Sequence, residues 1–158
     1  MTKFEILQII TGFLGALGFA ILYNIRGKKL CFAAFGGFLS WALFVLLKFA
    51  MENEALRYFI VAVTLSIYAE IMARLLKTPT TTFLITSLIP LIPGGSLYYT
   101  MTSAFAGNLE GFTSRGMYTL QLSVALALGI VLTSALTKIL LHALALWHAK
   151  REKHDQKN

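Results

Sequence analysis

Five long apolar runs, separated by short polar stretches, set the plan of this chain. The first is Ile6 to Ile25, the second Leu30 to about Phe49, the third Tyr58 to Leu76, the fourth Phe83 to Phe105 and the fifth Met117 to about Leu146. Each is of the length that a helix needs to cross a hydrocarbon core, about 20 residues for about 30 Å. The fifth is longer, roughly 45 Å if helical throughout, so its end is expected to protrude. Between the runs lie a basic turn, Asn24 to Lys29, a polar connection, Lys48 to Arg57, and a polar loop, Gly107 to Gly116. Small residues recur at four-residue spacing on two runs: Gly12, Ala16, Ala20 and Asn24 on the first, and Ala125, Gly129, Thr133 and Thr137 on the fifth. Such stripes let helix backbones approach closely, and their plain reading is helix packing. The pattern predicts an all-α, polytopic membrane helical bundle of about five transmembrane segments. It forms a single domain over residues 1–149, followed by a charged cytoplasmic tail, 150–158, that is expected to be disordered.

The fourth run departs from the others. Pro90-Leu91-Ile92-Pro93-Gly94-Gly95-Ser96 lies inside it. Each proline removes a backbone N–H and clashes with the preceding turn, so one continuous helix cannot pass. The two glycines add backbone freedom. From Thr80 to Ile89 is about 15 Å of helix, roughly half the hydrocarbon core, which places the break near the bilayer midplane. Ser96 is placed as N-cap of the second half. In lipid such a break survives only where protein or a water-filled cavity satisfies the freed backbone groups. The open N–H groups and positive dipole end of the second half-helix then suit the carboxylate of a substrate, as in transporters with discontinuous helices. This makes Pro90, Pro93, Gly94, Gly95 and Ser96 candidates for substrate binding, with Tyr98 and Tyr99 on the cavity wall. The competing reading is a proline kink that serves packing alone.

Composition narrows the class. Of 158 residues, 57% are hydrophobic and 13% charged, and the mean hydropathy is +0.71. A soluble domain of this size carries about 25% charged residues. A water-soluble fold is therefore excluded in favour of a membrane protein. The net charge of +7 does not point to nucleic acid, because the basic residues flank the apolar runs. Cys31 is the single cysteine, so no intrachain disulfide is available. Lys3 is followed by Glu5 and the strong basic cluster comes after the first run, an order that favours a retained helix over a cleaved leader.

Counting basic residues on a five-span plan gives ten on one side (Arg26, Lys28, Lys29, Arg74, Lys77, Lys138, Lys150, Arg151, Lys153 and Lys157) against four on the other (Lys3, Lys48, Arg57 and Arg115). The bias places the C-terminus in the cytoplasm and the N-terminus outside. Within the third run Glu70 and Arg74 stand one helical turn apart and can pair. Two readings remain open: a gating or proton-coupling role inside the bundle, or a structural pair near the interface. His142 and His148 are six apart, off a common face, and read as surface residues with no metal site. No nucleophile–base pair or nucleotide-binding motif stands out, so neither an enzyme nor a cofactor is expected.

The run Glu70-Ile-Met-Ala-Arg74, then Lys77-Thr-Pro79, then Pro90-Leu-Ile-Pro93-Gly94-Gly95-Ser-Leu-Tyr98-Tyr99-Thr-Met resembles the threonine/serine exporter family. The likeness is to its small YjjB-like subunit, which is similar to the C-terminal half of the fused exporters. It is specific from about Tyr68 to Thr102 and only hydropathic elsewhere. The resemblance implies a subunit of a two-component secondary exporter of small carboxylate metabolites in the bacterial cytoplasmic (inner) membrane. Threonine and serine are the substrates in some members of that family and succinate in others. It also implies a larger membrane subunit, resembling the N-terminal half of the fused exporters, as partner, with the lipid bilayer as medium and room for an oligomer. A non-transporting scaffold subunit is the alternative from another class.

Overall fold

A computed structural model describes the backbone of residues 3–155 and the side-chain surroundings of residues 3–143. Its elements are α1 (Lys3–Leu22), α2 (Lys28–Ala50), α3 (Glu54–Leu75), α4 (Thr80–Leu88), a 3-10 turn (Ile89–Leu91), α5 (Gly94–Phe105) and α6 (Leu109–Asp155). Among the described residues every element is helical. Four helices are long and apolar enough to cross a membrane. Thr80–Leu91 and Gly94–Phe105 pass the same length and apolarity test only as a pair, bent by 55°, as a broken span or a re-entrant loop would be. The all-α bundle with a broken fourth segment is thus observed. Three expected boundaries move, the first being the polar loop Gly107 to Gly116, most of which is helical because α6 starts at Leu109. The polar connection shrinks to Met51–Asn53, with Arg57 inside α3. α6 runs on through Asp155 where disorder is expected from Lys150; the rest of that tail, and the side chain of His148, lie outside the described residues.

Helix ends follow local chemistry. Asn24, Lys77 and Gly107 adopt positive φ just past α1, α3 and α5 (57°, 47° and 68°). In each case the next amide donates back five residues: Ile25 to Ala20, Thr78 to Ala73 and Asn108 to Ser103, at 3.0, 2.9 and 3.0 Å. This left-handed closure satisfies carbonyls that the helix end would leave open. At the start of α3, Asn53 accepts the Leu56 N–H at 3.1 Å and acts as its N-cap.

The small-residue stripes are where the helices meet. A Cβ placed on Gly37 of α2 would run into Ala16 and come within 3.0 Å of the Gly12 carbonyl, so α1 and α2 touch backbone to backbone. Trp41, partly buried, lies across Gly12 and meets Phe44 edge-on, with ring centroids 5.4 Å apart. Gly36 leaves room for Ser87 of α4. On α6, a Cβ at Gly129 would lie 2.7 Å from the Ala62 Cβ and 2.8 Å from the Phe59 carbonyl oxygen of α3. The stripe of the fifth run is therefore an α3–α6 contact within this chain. Outward of it, Leu120, Val124, Leu128, Val131, Leu132 and Leu136 are exposed, as a lipid-facing or partner-facing surface requires.

Two apolar clusters hold the centre. One joins Phe44, Tyr58, Val61, Leu65, Leu88, Leu91 and Leu122, and the other Ala20, Ala33, Ala69, Ala73 and Phe83. α4 is thereby the buried half of the broken segment, with Phe83, Thr86, Ser87 and Leu88 inside. α5 packs on α6 and leaves Leu97, Tyr98, Met101 and Phe105 exposed.

Candidate functional site

Ile89 and Pro90 form the 3-10 turn, closed by the Ile92 N–H to the Ile89 carbonyl at 3.3 Å. Pro93 has φ −74° and ψ 55°, and the Gly94 N–H donates to the Ile92 carbonyl at 2.6 Å. These values describe an inverse γ-turn centred on Pro93, which supplies a sharp corner without positive φ. The first bond of α5 then runs from the Leu97 N–H to the Pro93 carbonyl, 3.0 Å. Pro93 is the N-cap, and Ser96 sits in the first turn without a side-chain capping bond. The expected capping role of Ser96 is therefore corrected: the proline corner starts the helix three residues earlier. Nor are Gly94 and Gly95 left-handed; only Gly27 and Gly107 among the described glycines have positive φ. Both are exposed, and a Cβ on either would meet nothing within 4 Å. What glycine contributes here is an uncovered backbone, with the Gly95 and Ser96 N–H groups as first-turn donors.

The corner is not at the middle of the bundle. Leu88 and Leu91 pack in one cluster with Tyr58, Val61 and Leu65, which run from the Glu54 end of α3 to its middle. At about 1.5 Å per residue the break lies nearer the Glu54 end of α3 than the Leu75 end.

Beyond the corner, Ser96 and Tyr99 of α5 face Arg115 and Tyr118 of α6 across a cavity of about 260 Å³ that is open to the outside, with Tyr99, Arg115 and Tyr118 all exposed. Roughly 300–1,000 Å³ is usual for drug-sized ligands, so this space suits a smaller metabolite. The Arg115 guanidinium carbon lies 5.5 Å from the centre of the Tyr99 ring. Below the cavity a hydroxyl pair fixes the two helices: Thr100 Oγ1 and Thr119 Oγ1 are 3.1 Å apart. Each also lies 2.8 Å from a carbonyl one turn back, Thr100 from Ser96 and Thr119 from Arg115, so one hydroxyl donates across the pair while the other donates to its own helix. Tyr118 donates its hydroxyl to the Glu54 carboxylate of α3 in a short hydrogen bond. Glu54 in turn faces Arg57 at 3.8 Å, and the buried Arg57 guanidinium stacks over Phe44, 4.9 Å from the ring centre. Burial of a guanidinium inside a membrane protein is costly unless a carboxylate and a π-face share its charge, and both are present. At the same end, Lys48 Nζ donates to the buried Glu5 at 3.0 Å and ties α1 to α2.

The structure thus brings together Ser96 and Tyr99 but not the rest of the sequence-derived set. Pro90 and Pro93 shape the corner and are half-buried. Tyr98 does not line the cavity; it is 67% exposed and meets the Tyr99 ring edge-on at 5.5 Å. Glu70 and Arg74 do pair, at 3.1 Å, with Arg74 half-exposed. They stand sixteen and twenty residues beyond Glu54 on α3, about 24 and 30 Å along the helix, and take no part in the cavity. Arg115, Glu54 and Arg57 are the residues sequence reasoning leaves in polar connections, and Tyr118 goes unnoticed at the start of the fifth run. One signal was available for Arg115: it starts a four-residue series with Thr119 and Ser123, matched on α5 by Ser96 and Thr100.

The family model described as "Threonine/Serine exporter, ThrE" matches residues 8–136. No curated protein and no solved structure matches the chain. The match takes in every span from α1 to the intramembrane part of α6, including the bent segment and the cavity beside it. With several helices of membrane-crossing length and apolarity, the chain is a multi-pass membrane protein and belongs to the threonine/serine exporter (ThrE) family.

Proposed function

We propose that this chain is the small subunit of a two-component secondary exporter for small carboxylate metabolites of the threonine/serine type. It works in the bacterial cytoplasmic membrane beside a larger subunit that corresponds to the N-terminal half of fused exporters. The observation that carries this reading is the corner at Pro90–Ser96. An apolar segment is broken by two prolines, and its second half starts with a bare first turn beside an open, metabolite-sized cavity that Ser96 and Tyr99 help to line. Open amides at a helix start favour anions, through both hydrogen bonds and the helix dipole. α6, α5 and the outer faces of α1 leave a wide exposed apolar surface, which a larger membrane partner can cover in part. The same geometry accommodates succinate, whose carboxylates need the same donors.

The test is efflux from vesicles containing this chain and its partner, loaded with threonine, serine or succinate. Efflux of one of these acids is expected to require both chains. Gly95→Val keeps the fold, since its Cβ enters open space, but covers the amides, and is expected to cut efflux severalfold. Folded Gly95→Val complexes with undiminished efflux identify the corner as a packing kink and the chain as a scaffold.

A further inference from the structure

Arg115 is a cation with no carboxylate at ion-pair distance among the described residues. The other charges near it are already balanced: Glu54 holds the Tyr118 hydroxyl and faces Arg57. Arg115 is left as the uncompensated charge of the α5–α6 cavity, beside the hydroxyls of Ser96, Tyr99 and Tyr118. Its guanidinium lies over the Tyr99 ring, an arrangement that restrains it while its N–H fork stays available. It is exposed, so nothing in the packing of α6 accounts for its placement. A guanidinium fork matches a carboxylate in two parallel hydrogen bonds, which a lysine cannot reproduce.

We infer that Arg115 is the specificity-determining residue of the α5–α6 cavity: it grips the substrate carboxylate, with the Tyr118 hydroxyl as second donor. This rests on the exporter reading above and adds to it a residue and a position, the end of the bundle that carries Glu54. Tyr118 has one O–H, now given to Glu54. A carboxylate bound at Arg115 competes with Glu54 for that proton donor, and Glu54 is released toward Arg57, which stands at 3.8 Å with its Nε atom unpartnered. Occupancy of the cavity is thereby linked to the tie between α3 and α6.

The experiment is equilibrium binding to the full chain in lipid nanodiscs. The probes are threonine, succinate and threonine amide, which keeps the amine and lacks the carboxylate, each tested on the unmodified chain, Arg115→Gln and Arg115→Lys. The unmodified chain is expected to bind threonine and succinate at least about tenfold more tightly than the amide, the discrimination a charged hydrogen-bond pair supplies. Arg115→Gln is expected to lose that discrimination, and Arg115→Lys to keep part of it. Arg115 is exposed, so both variants should fold, which far-UV circular dichroism and monodisperse elution check. A folded Arg115→Gln chain that still prefers the acids as strongly, or an unmodified chain that does not prefer them, overturns the assignment. Efflux separates the two levels. Normal acid efflux by Arg115→Gln complexes removes Arg115 and leaves the exporter reading. Acid binding that depends on Arg115, without efflux from any complex, retains the cavity and removes the exporter reading.

Discussion

Gly129→Ala tests the architecture most directly, because the structure fixes both its sign and its size. Gly129 faces α3 at backbone distance: an added Cβ meets the Ala62 Cβ at 2.7 Å and the Phe59 carbonyl oxygen at 2.8 Å, with the Val63 amide nitrogen at 3.2 Å. Ordinary carbon contacts are about 3.5–4.0 Å, so α6 must withdraw by about an ångström. Two of the three obstructing atoms are backbone, which no rotamer change can clear. Overpacking of this kind costs about 1–3 kcal/mol. Alanine also gains about 1 kcal/mol of helix propensity over glycine, which hides part of that cost. Gly15→Ala on α1 is the matched control, since its Cβ meets nothing within 4 Å and it carries the propensity gain alone. The difference between the two variants therefore isolates the steric effect, about 1–3 kcal/mol against Gly129→Ala. Reversible unfolding of the purified chain in mixed detergent micelles measures it without any partner. A partner-interface stripe would leave the isolated chain unaffected. Equal stability of the two variants would refute the close α3–α6 approach and, with it, the position of Arg115 and Tyr118 over α5.

Three further outcomes follow from the geometry. In a Cys31→Ser background, a membrane-impermeant reagent on the cytoplasmic side should label cysteines at Lys28 and Lys153 and spare one at Glu52; the reverse pattern inverts the orientation taken from the basic residues. Glu70→Gln should cost no more than about 0.5 kcal/mol, because Arg74 is half-exposed and the pair is an i,i+4 pair on one helix. If Glu70 couples protons, the folded variant shows efflux that no longer varies with pH; unchanged pH dependence removes that role. Tyr118→Phe removes the donor to Glu54 and should destabilise the chain by about 1 kcal/mol in the same micelle assay, while Tyr98→Phe, at an exposed ring outside the cavity lining, should be neutral. Equal effects of the two tyrosine variants would refute the Glu54 tie.

The sequence by itself determined the class and the plan of this protein. Apolar runs of membrane-crossing length leave helices as the only choice for the backbone, since lipid offers no hydrogen-bond partners. Prolines at 90 and 93 forbid a straight fourth helix whatever surrounds them, because the constraint is covalent. The Glu70–Arg74 pair was legible for the same local reason, one turn of one helix. Tertiary structure decided everything that depends on which faces meet. The Gly129 stripe reads the same in sequence whether it meets α3 or another chain, and only the contact with Ala62 and Phe59 assigns it. Arg57 and Arg115 look alike as polar residues near run ends. One is buried over Phe44, and the other is left facing a cavity, because α3 starts at Glu54, behind its Asn53 cap, and α6 begins a full two turns before its apolar run. Ser96 was legible as part of the break but not as a cavity wall. Its partners stand about twenty residues further along the chain, and only the α5–α6 turn through Gly107 brings them across.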